Sequence, residues 1–291
     1  MKNYLALLIL KIIAHFPIGA SRGLGKLLGR SLYYLNSRSA QTCKKNLTLC
    51  YPELNAKEID SLCFDRMQHL GQSLFETPKI WRKGSIWIES KVKKVYGLDI
   101  FESLFEQKKG LIIIIPHLGN WEILGLWISK RVPMTSIYEP PKIKSLNDWV
   151  KVGRENAGAN LVPADIKGVS NVLKALTKGE ATGILPDQFP PEISGQTSTF
   201  FNVRTRTMTL IHKLIGRVNC NTLIASAIRV GDGWEIYFQR VDDDINSTDI
   251  SASLNALNRS IEDMVKLNPS QYQWEYKRFK DLKDNGKKFY D

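Results

Sequence analysis

The chain has 291 residues, 43% hydrophobic and 24% charged, which is the balance of a globular protein able to bury a substantial core and excludes wholesale disorder. Its formal net charge of +12 calls for anionic partners: nucleic acid, an anionic lipid surface or an acidic protein. The basic residues are scattered (Lys44-Lys45, Lys91, Lys93-Lys94, Lys142, Lys144, Lys277-Arg278, Lys280) and no recognition helix, zinc-finger spacing or aromatic ribonucleoprotein motif accompanies them, so nucleic acid is disfavoured.

In chain order, Met1–Ala20 holds the apolar runs Tyr4–Leu10 and Ile12–Ala14, interrupted by Lys11 and followed by His15-Phe16-Pro17. No small-residue cleavage site follows, so a removed signal peptide is not expected. The apolar length falls short of the roughly 20 residues of a spanning helix. The reading is a helix lying in the membrane interface or entering it obliquely, with Lys2, Lys11, Arg22, Lys26 and Arg30 near anionic headgroups. A tilted span with Lys11 snorkelling and a buried core helix are the alternatives. Ser21–Leu35 continues as helix; its Gly23, Gly25 and Gly29 follow no strand, which rejects a dinucleotide-binding loop. Residues 38–81 read as all-helical, with Asn55 and Glu58 forming a capping box before an amphipathic stretch through Leu62, Met67, Leu70 and Leu74. Cys43, Cys50, Cys63 and Cys220 form no C-x-x-C pair and no metal spacing, which fits reduced thiols.

From Lys91 strands alternate with helices. Strands are expected at Val92–Tyr96, Leu111–Ile115, Met134–Tyr138, Asn160–Val162, Ala181–Leu185, Thr222–Val230 and Trp234–Arg240, the last two joined by a Gly231-Asp232-Gly233 turn. Helices are expected at Asp99–Gln107, Trp121–Lys130, Leu146–Ala157, Val169–Lys178, Thr207–Val218 and Leu254–Leu267. This pattern means an α/β fold with a mostly parallel central sheet flanked by helices. The organisation is an N-terminal membrane-associating helical extension over 1–36 and one α/β domain over 37–291, helical over 37–90 and α/β over 91–291.

The most informative segment is Leu111–Glu122. Its apolar run reads as a strand buried on both faces, Pro116 ends it, and Gly119-Asn120 supply a turn and helix N-cap. His117 thus stands at the carboxyl end of a buried strand, where open α/β sheets place their ligands. Glu122, in the first helical turn, could face back to the imidazole and make it a general base. A histidine beside a helix start and a surface glutamate is the plain alternative. Other strand ends carry polar groups: Glu139-Pro140-Pro141 before a helix bearing Arg154, then Asp187-Gln188, then Arg204 and Arg206 after Phe200-Phe201-Asn202. Together they describe a basic pocket suited to an acceptor bearing phosphate or carboxylate. His15, His69 and His212 sit in expected helices without metal-ligand spacing, and Asp242–Asp244 reads as a solvated loop.

At these residues the chain resembles the bacterial lipid A secondary acyltransferases, the lauroyl/myristoyl group of the lysophospholipid acyltransferase superfamily, over nearly its whole length. The matching pieces fall in order: Lys45-Asn46-Leu47 with Cys50–Leu54, Gly71-Gln72-Ser73 with Glu76, Pro116–Glu122, Gly153-Arg154-Glu155 with Gly158, Leu185–Gln188, Thr199-Phe200-Phe201, and Gln271–Trp274 with Arg278-Phe279-Lys280. The resemblance implies a glycerolphosphate-acyltransferase-like fold. It also implies transfer of an acyl chain from an acyl carrier protein thioester (coenzyme A thioester as the other donor) to a hydroxyl of a lipid A precursor at the cytoplasmic face of the inner membrane. It maps the catalytic pair onto His117 as base and Glu122 as its orienting partner, with no metal or cofactor. Asn120, Arg154, Asp187 and Arg204 are the expected substrate-binding residues, with backbone N–H groups at Asn120–Glu122 and Arg154 as oxyanion donors. The family's Phe-Phe-Gly is Phe200-Phe201-Asn202 here, and the Phe189–Gln196 loop has no obvious match, which leaves another lipid acceptor open. Gly19-Ala20-Ser21-Arg22-Gly23 has the G-x-S-x-G spacing but follows no strand, so no nucleophile elbow is expected.

Overall fold

In a computed structural model that describes residues 2–141, 144–284 and 286–291, a seven-stranded sheet forms the centre of the molecule, in the order β1-β9-β8-β2-β5-β3-β4. Met1 and Lys142 lie outside the described residues, as do the side chains of Lys2 and Lys144. The strands are β1 (Val92–Tyr96), β2 (Leu111–Ile114), β3 (Met134–Tyr138), β4 (Ala159–Pro163), β5 (Ala181–Ile184), β6 (Gly195–Phe200), β7 (Val203–Met208), β8 (Asn221–Val230), β9 (Gly233–Gln239), β10 (Lys283–Asp284) and β11 (Lys287–Lys288). The helices are α1 (Lys2–Ile13), α2 (Ile18–Tyr34), α3 (Arg38–Cys50), α4 (Ala56–Glu89), α5 (Leu98–Glu106), α6 (Trp121–Ser129), α7 (Lys144–Glu155), α8 (Ile166–Thr177), α9 (Leu210–Ile215) and α10 (Ile250–Lys266). Neighbours in the large sheet pair parallel except β8 with β9, so the mixed, mostly parallel α/β architecture holds.

β2 is the keel of this sheet. Ile112 and Ile114 enter a core with α3, α4 and α10, while Leu111, Ile113 and Ile115 enter another with α5 and α6. That alternation is why an unbroken apolar run, rather than an alternating one, was needed here.

The helices before the sheet are fixed by two devices. Asn55 and Glu58 form the anticipated capping box of α4. Gly25 and Gly29 let α2 cross α4 at backbone contact, because a Cβ on Gly25 would lie 2.6 Å from Gly71 O and one on Gly29 would lie 2.2 Å from Met67 O. That close crossing is the use of the glycine spacing. Lys79 and Arg82 of α4 donate to the carbonyl of Ala14, holding the end of α1. Among the described residues no helix is long and apolar enough to cross a membrane. Leu8, Ile9 and Ile12 of α1 and Leu24 and Leu27 of α2 are exposed. Arg22 corrects the expectation of a headgroup contact: it is buried against Glu76 and the carbonyls of Gly231 and Gly233. All four cysteines are free and buried.

The sheet order also exposes an element the sequence concealed. The expected loop and helix start over 195–208 are an antiparallel hairpin, β6–β7, and the helix shrinks to α9. Phe200 pairs with Val203, leaving a two-residue turn in which Phe201 (φ 49°) and Asn202 (φ 59°) are both left-handed. Asparagine is among the residues that adopt a left-handed φ most readily, which suits Asn202 to its place in the turn.

Candidate active site

Parallel register brings the key side chains together. Ile114 of β2 pairs with Ile184 of β5, and Ile115 N–H still donates to Ile184 O at 2.8 Å. Each strand then runs apolar residue, proline, polar residue: Ile115-Pro116-His117 beside Leu185-Pro186-Asp187. His117 and Asp187 therefore stand three residues past a matched pair, on strands about 4.8 Å apart. The His117 ring donates through Nδ1 to Asp187 Oδ1 at 2.8 Å, and the His117 backbone N–H donates to Oδ2 at 2.8 Å. The Asp187 side chain is 2% exposed and that of His117 12%. Burial works to raise the Asp187 pKa, but the His117 ring and the two hydrogen bonds outweigh it and hold the carboxyl below its ordinary value. An ionised Asp187 keeps the proton on Nδ1 and leaves the lone pair on Nε2.

The carboxylate that bonds the imidazole is thus Asp187, where Glu122 was the expected partner and Asp187 an expected substrate contact. Glu122 is turned to another set of partners. Its Oε2 accepts from Trp81 Nε1 at 2.9 Å and from Arg154 Nε at 3.1 Å, and its Oε1 accepts from Arg154 Nη2. For Arg154, burial acts to lower the pKa and Glu122 more than offsets it, so the guanidinium stays charged. Among the described residues no hydrogen bond joins Glu122 to His117.

The segment between these groups is bolted down. Gly119 is left-handed (φ 66°), and a Cβ there would lie 2.0 Å from Ala227 O. Its N–H donates to Gln271 O and that of Asn120 to Ala227 O. Asn120 is buried, with its side-chain amide on Glu76 at 3.4 Å. Its backbone N–H and one side-chain N–H are thus engaged within the protein. Glu76 also accepts from Arg22 and from Arg229 Nε at 2.8 Å. Burial would raise its pKa, and the two guanidiniums hold it below the ordinary value instead.

Trp121 stands edge-on to the imidazole, centroids 4.7 Å apart. It also walls a cleft of about 90 Å³ lined by Ile115, Gly125, Leu126, Met134, Ile137, Leu161, Gly183 and Leu185, with Glu122 and Arg154 at its polar part. The lining, apolar with one charged end, suits an apolar ligand with a polar end. Arg204 is not brought here; it is exposed on β7 beside Thr197, Arg206 and Asp281. Sequence reasoning missed Trp81, Gln188 and Gln273 as site residues, although Gln188 directly follows Asp187. Gln188 Nε2 lies 3.2 Å from His117 Nε2 and 3.1 Å from Gln273 Oε1.

The sequence profile of bacterial lipid A biosynthesis acyltransferases matches residues 1–281. The chain is 27% identical over 263 residues to the lipid A biosynthesis palmitoleoyltransferase of Escherichia coli (strain K12), covering 88% of this chain and 84% of that protein. It is 23% identical over 285 residues to the lipid A biosynthesis lauroyltransferase of the same organism, covering 96% and 91%. A lipid A biosynthesis acyltransferase of Haemophilus influenzae is 24% identical over 289 residues, covering 97% and 91%.

Proposed function

The chain belongs to the bacterial lipid A biosynthesis acyltransferase family, and on that premise we propose that it moves a fatty acyl chain from an acyl carrier protein thioester to a hydroxyl of a lipid A precursor. The observation that carries the reading is an aspartate-backed imidazole beside an apolar cleft. The acceptor hydroxyl attacks the thioester carbonyl carbon while His117 Nε2 takes its proton. Asp187 stabilises the imidazolium so formed. The tetrahedral oxyanion then collapses, the C–S bond breaks, and the imidazolium returns its proton to the leaving thiolate.

Oxyanion donors come from the N–H groups of Trp121 and Glu122, which have no carbonyl one turn back in α6, and from Arg154 Nη1, which the Glu122 pair does not use. The acyl chain lies in the cleft, and Glu122 fixes Arg154 at its polar end. The exposed apolar residues of α1 and α2, with Lys11, Lys26 and Arg30, seat the enzyme on the cytoplasmic face of the inner membrane. Basic surface meets the acidic carrier protein.

The test incubates purified protein with radiolabelled acyl carrier thioester and lipid A precursor, with His117→Ala alongside. Acylated lipid from the unaltered protein, and its loss in the variant, is expected. No product refutes the transfer, and equal product from His117→Ala refutes the base.

A further inference from the structure

With Nδ1–H given to Asp187, the lone pair of His117 that must receive a hydroxyl proton is on Nε2. That position is already occupied. The Gln188 amide nitrogen is 3.2 Å from it, and the same nitrogen is 3.1 Å from Gln273 Oε1. Because Nε2 is an acceptor, the amide must present one N–H to it and the other to Gln273, which fixes the orientation of both amides. Gln273 is anchored in turn, since its backbone N–H donates to His117 O at 3.1 Å. The base therefore carries a two-link amide cover, one link from the segment that supplies its carboxylate and one from the strand-like segment after Gln271.

Resting on the acyl-transfer reading above, we propose that Gln188, held by Gln273, shields the base so that a lipid hydroxyl is activated in preference to water. Nε2 has one lone pair, so any nucleophile to be deprotonated must displace the amide. A lipid acceptor has the rest of its molecule to bind with, and can use that binding to displace Gln188. Water has no such purchase. On an uncovered base, water would attack the thioester carbonyl carbon and pass its proton to Nε2. Rupture of the C–S bond would then send that proton to the departing thiolate, giving free fatty acid and free carrier thiol. Removing one neutral hydrogen bond that competes with water corresponds to about a 2- to 12-fold rise in that hydrolysis.

The experiment follows thiol release from lauroyl-acyl carrier protein without acceptor, and acylated lipid with a lipid A precursor present, using the full chain. Gln188→Ala and Gln188→Met are expected to raise acceptor-independent hydrolysis about 2- to 12-fold and to lower the ratio of transfer to hydrolysis. Gln273→Ala should act in the same direction, whereas Gln273→Glu, which keeps an oxygen for the Gln188 amide, should restore the wild-type ratio. Hydrolysis that is unchanged or lower in both folded Gln188 variants overturns the inference, as does equal behaviour of the two Gln273 variants. Absence of transfer by the unaltered protein removes the acyl-transfer reading and this inference together. Transfer by it, with unchanged hydrolysis in the variants, removes this inference alone.

Discussion

Replacing Asp187 with asparagine separates the pairing seen in the structure from the pairing that sequence proximity favours. The side chain is nearly isosteric, so the backbone N–H of His117 keeps an acceptor at 2.8 Å. What changes is the charge facing Nδ1, also at 2.8 Å. An amide that accepts the His117 backbone N–H presents its NH2 to the ring, which draws the proton from Nδ1 and leaves Nε2 protonated, the wrong tautomer for a base. Loss of a full charge about 4 Å from the centre of the imidazolium is about 4 kcal/mol at an effective dielectric of ~20. That is roughly a 10³-fold fall in kcat, with the tautomer error able to carry it toward ~10⁴. The assay is steady-state transfer from lauroyl-acyl carrier protein to a lipid A precursor, with circular dichroism confirming the fold. Glu122→Gln is the companion: it keeps an oxygen for Trp81 and Arg154 Nε but removes the charge and sets an NH2 in place of the acceptor of Arg154 Nη2, so a fall of about 10- to 100-fold is expected. If Asp187→Asn stays within about 10-fold of wild type while Glu122→Gln loses ~10³, the argument from register is wrong and Glu122 is the working partner.

Gly125 faces the cleft with no atom within 4 Å of an added Cβ. Gly125→Leu should therefore lower kcat/KM for the longest acyl donors about 10-fold relative to shorter ones, while improved helix propensity leaves the melting temperature equal or higher; unchanged chain-length selectivity contradicts the placement of the acyl chain. Glu76→Gln leaves Arg22 and Arg229 buried without their carboxylate, which should cost about 3–5 kcal/mol and lower Tm by on the order of 10 °C in a thermal melt; a shift of about 2 °C or less counts against the ion cluster as a fastening. His69 has its pKa pressed down by burial, then by Arg229 and its neighbours, to about 2 from 6.5. The unfolded chain takes up a proton below about pH 6.5 that the native state refuses, so stability falls as pH drops, by at most about 2 kcal/mol at pH 5. Urea unfolding at about pH 7 and about pH 5 should show that loss shrinking in His69→Gln, and an equal loss in both proteins would exclude His69 as its source.

Much of the sheet was legible because its strands are runs of apolar and β-branched residues bounded by Gly and Pro, and His117 was legible because Pro116 and Gly119 bracket it. The carboxylate that bonds its ring was not legible, for a physical reason. Sequence shows local neighbours, and Glu122 is five residues on; Asp187 is adjacent only because β5 lies next to β2 in register, which no local pattern reveals. The twin Ile-Pro-His and Leu-Pro-Asp strand ends were the available signal. Arg22 was misplaced likewise, since its partner Glu76 lies on a different helix. The β6–β7 hairpin was hidden because its buried face is hydroxylic rather than apolar. Ser198 and Thr207 bond each other at 2.6 Å and both meet the Asn258 amide, so the usual hydrophobic alternation is missing.

Glu76 then explains how His117, the proposed base, is kept in place from a distance. The turn after His117 is secured by Gly119 on Gln271, by Asn120 on Ala227, and by the Asn120 side chain on Glu76. Gln271 in turn exchanges hydrogen bonds with the backbone of Arg229, whose guanidinium holds the same Glu76. The other guanidinium on Glu76 is Arg22, from α2, the helix that follows the exposed apolar face of α1. One fully buried carboxylate thus ties the turn after His117, the end of β8 and the helix proposed to face the membrane. Moving α2 relative to the sheet would have to break a charge pair that burial makes expensive to separate. The position of His117 is therefore set by the same cluster that fixes the proposed membrane-facing helix, so the proposed lipid seating and the proposed base share one anchor.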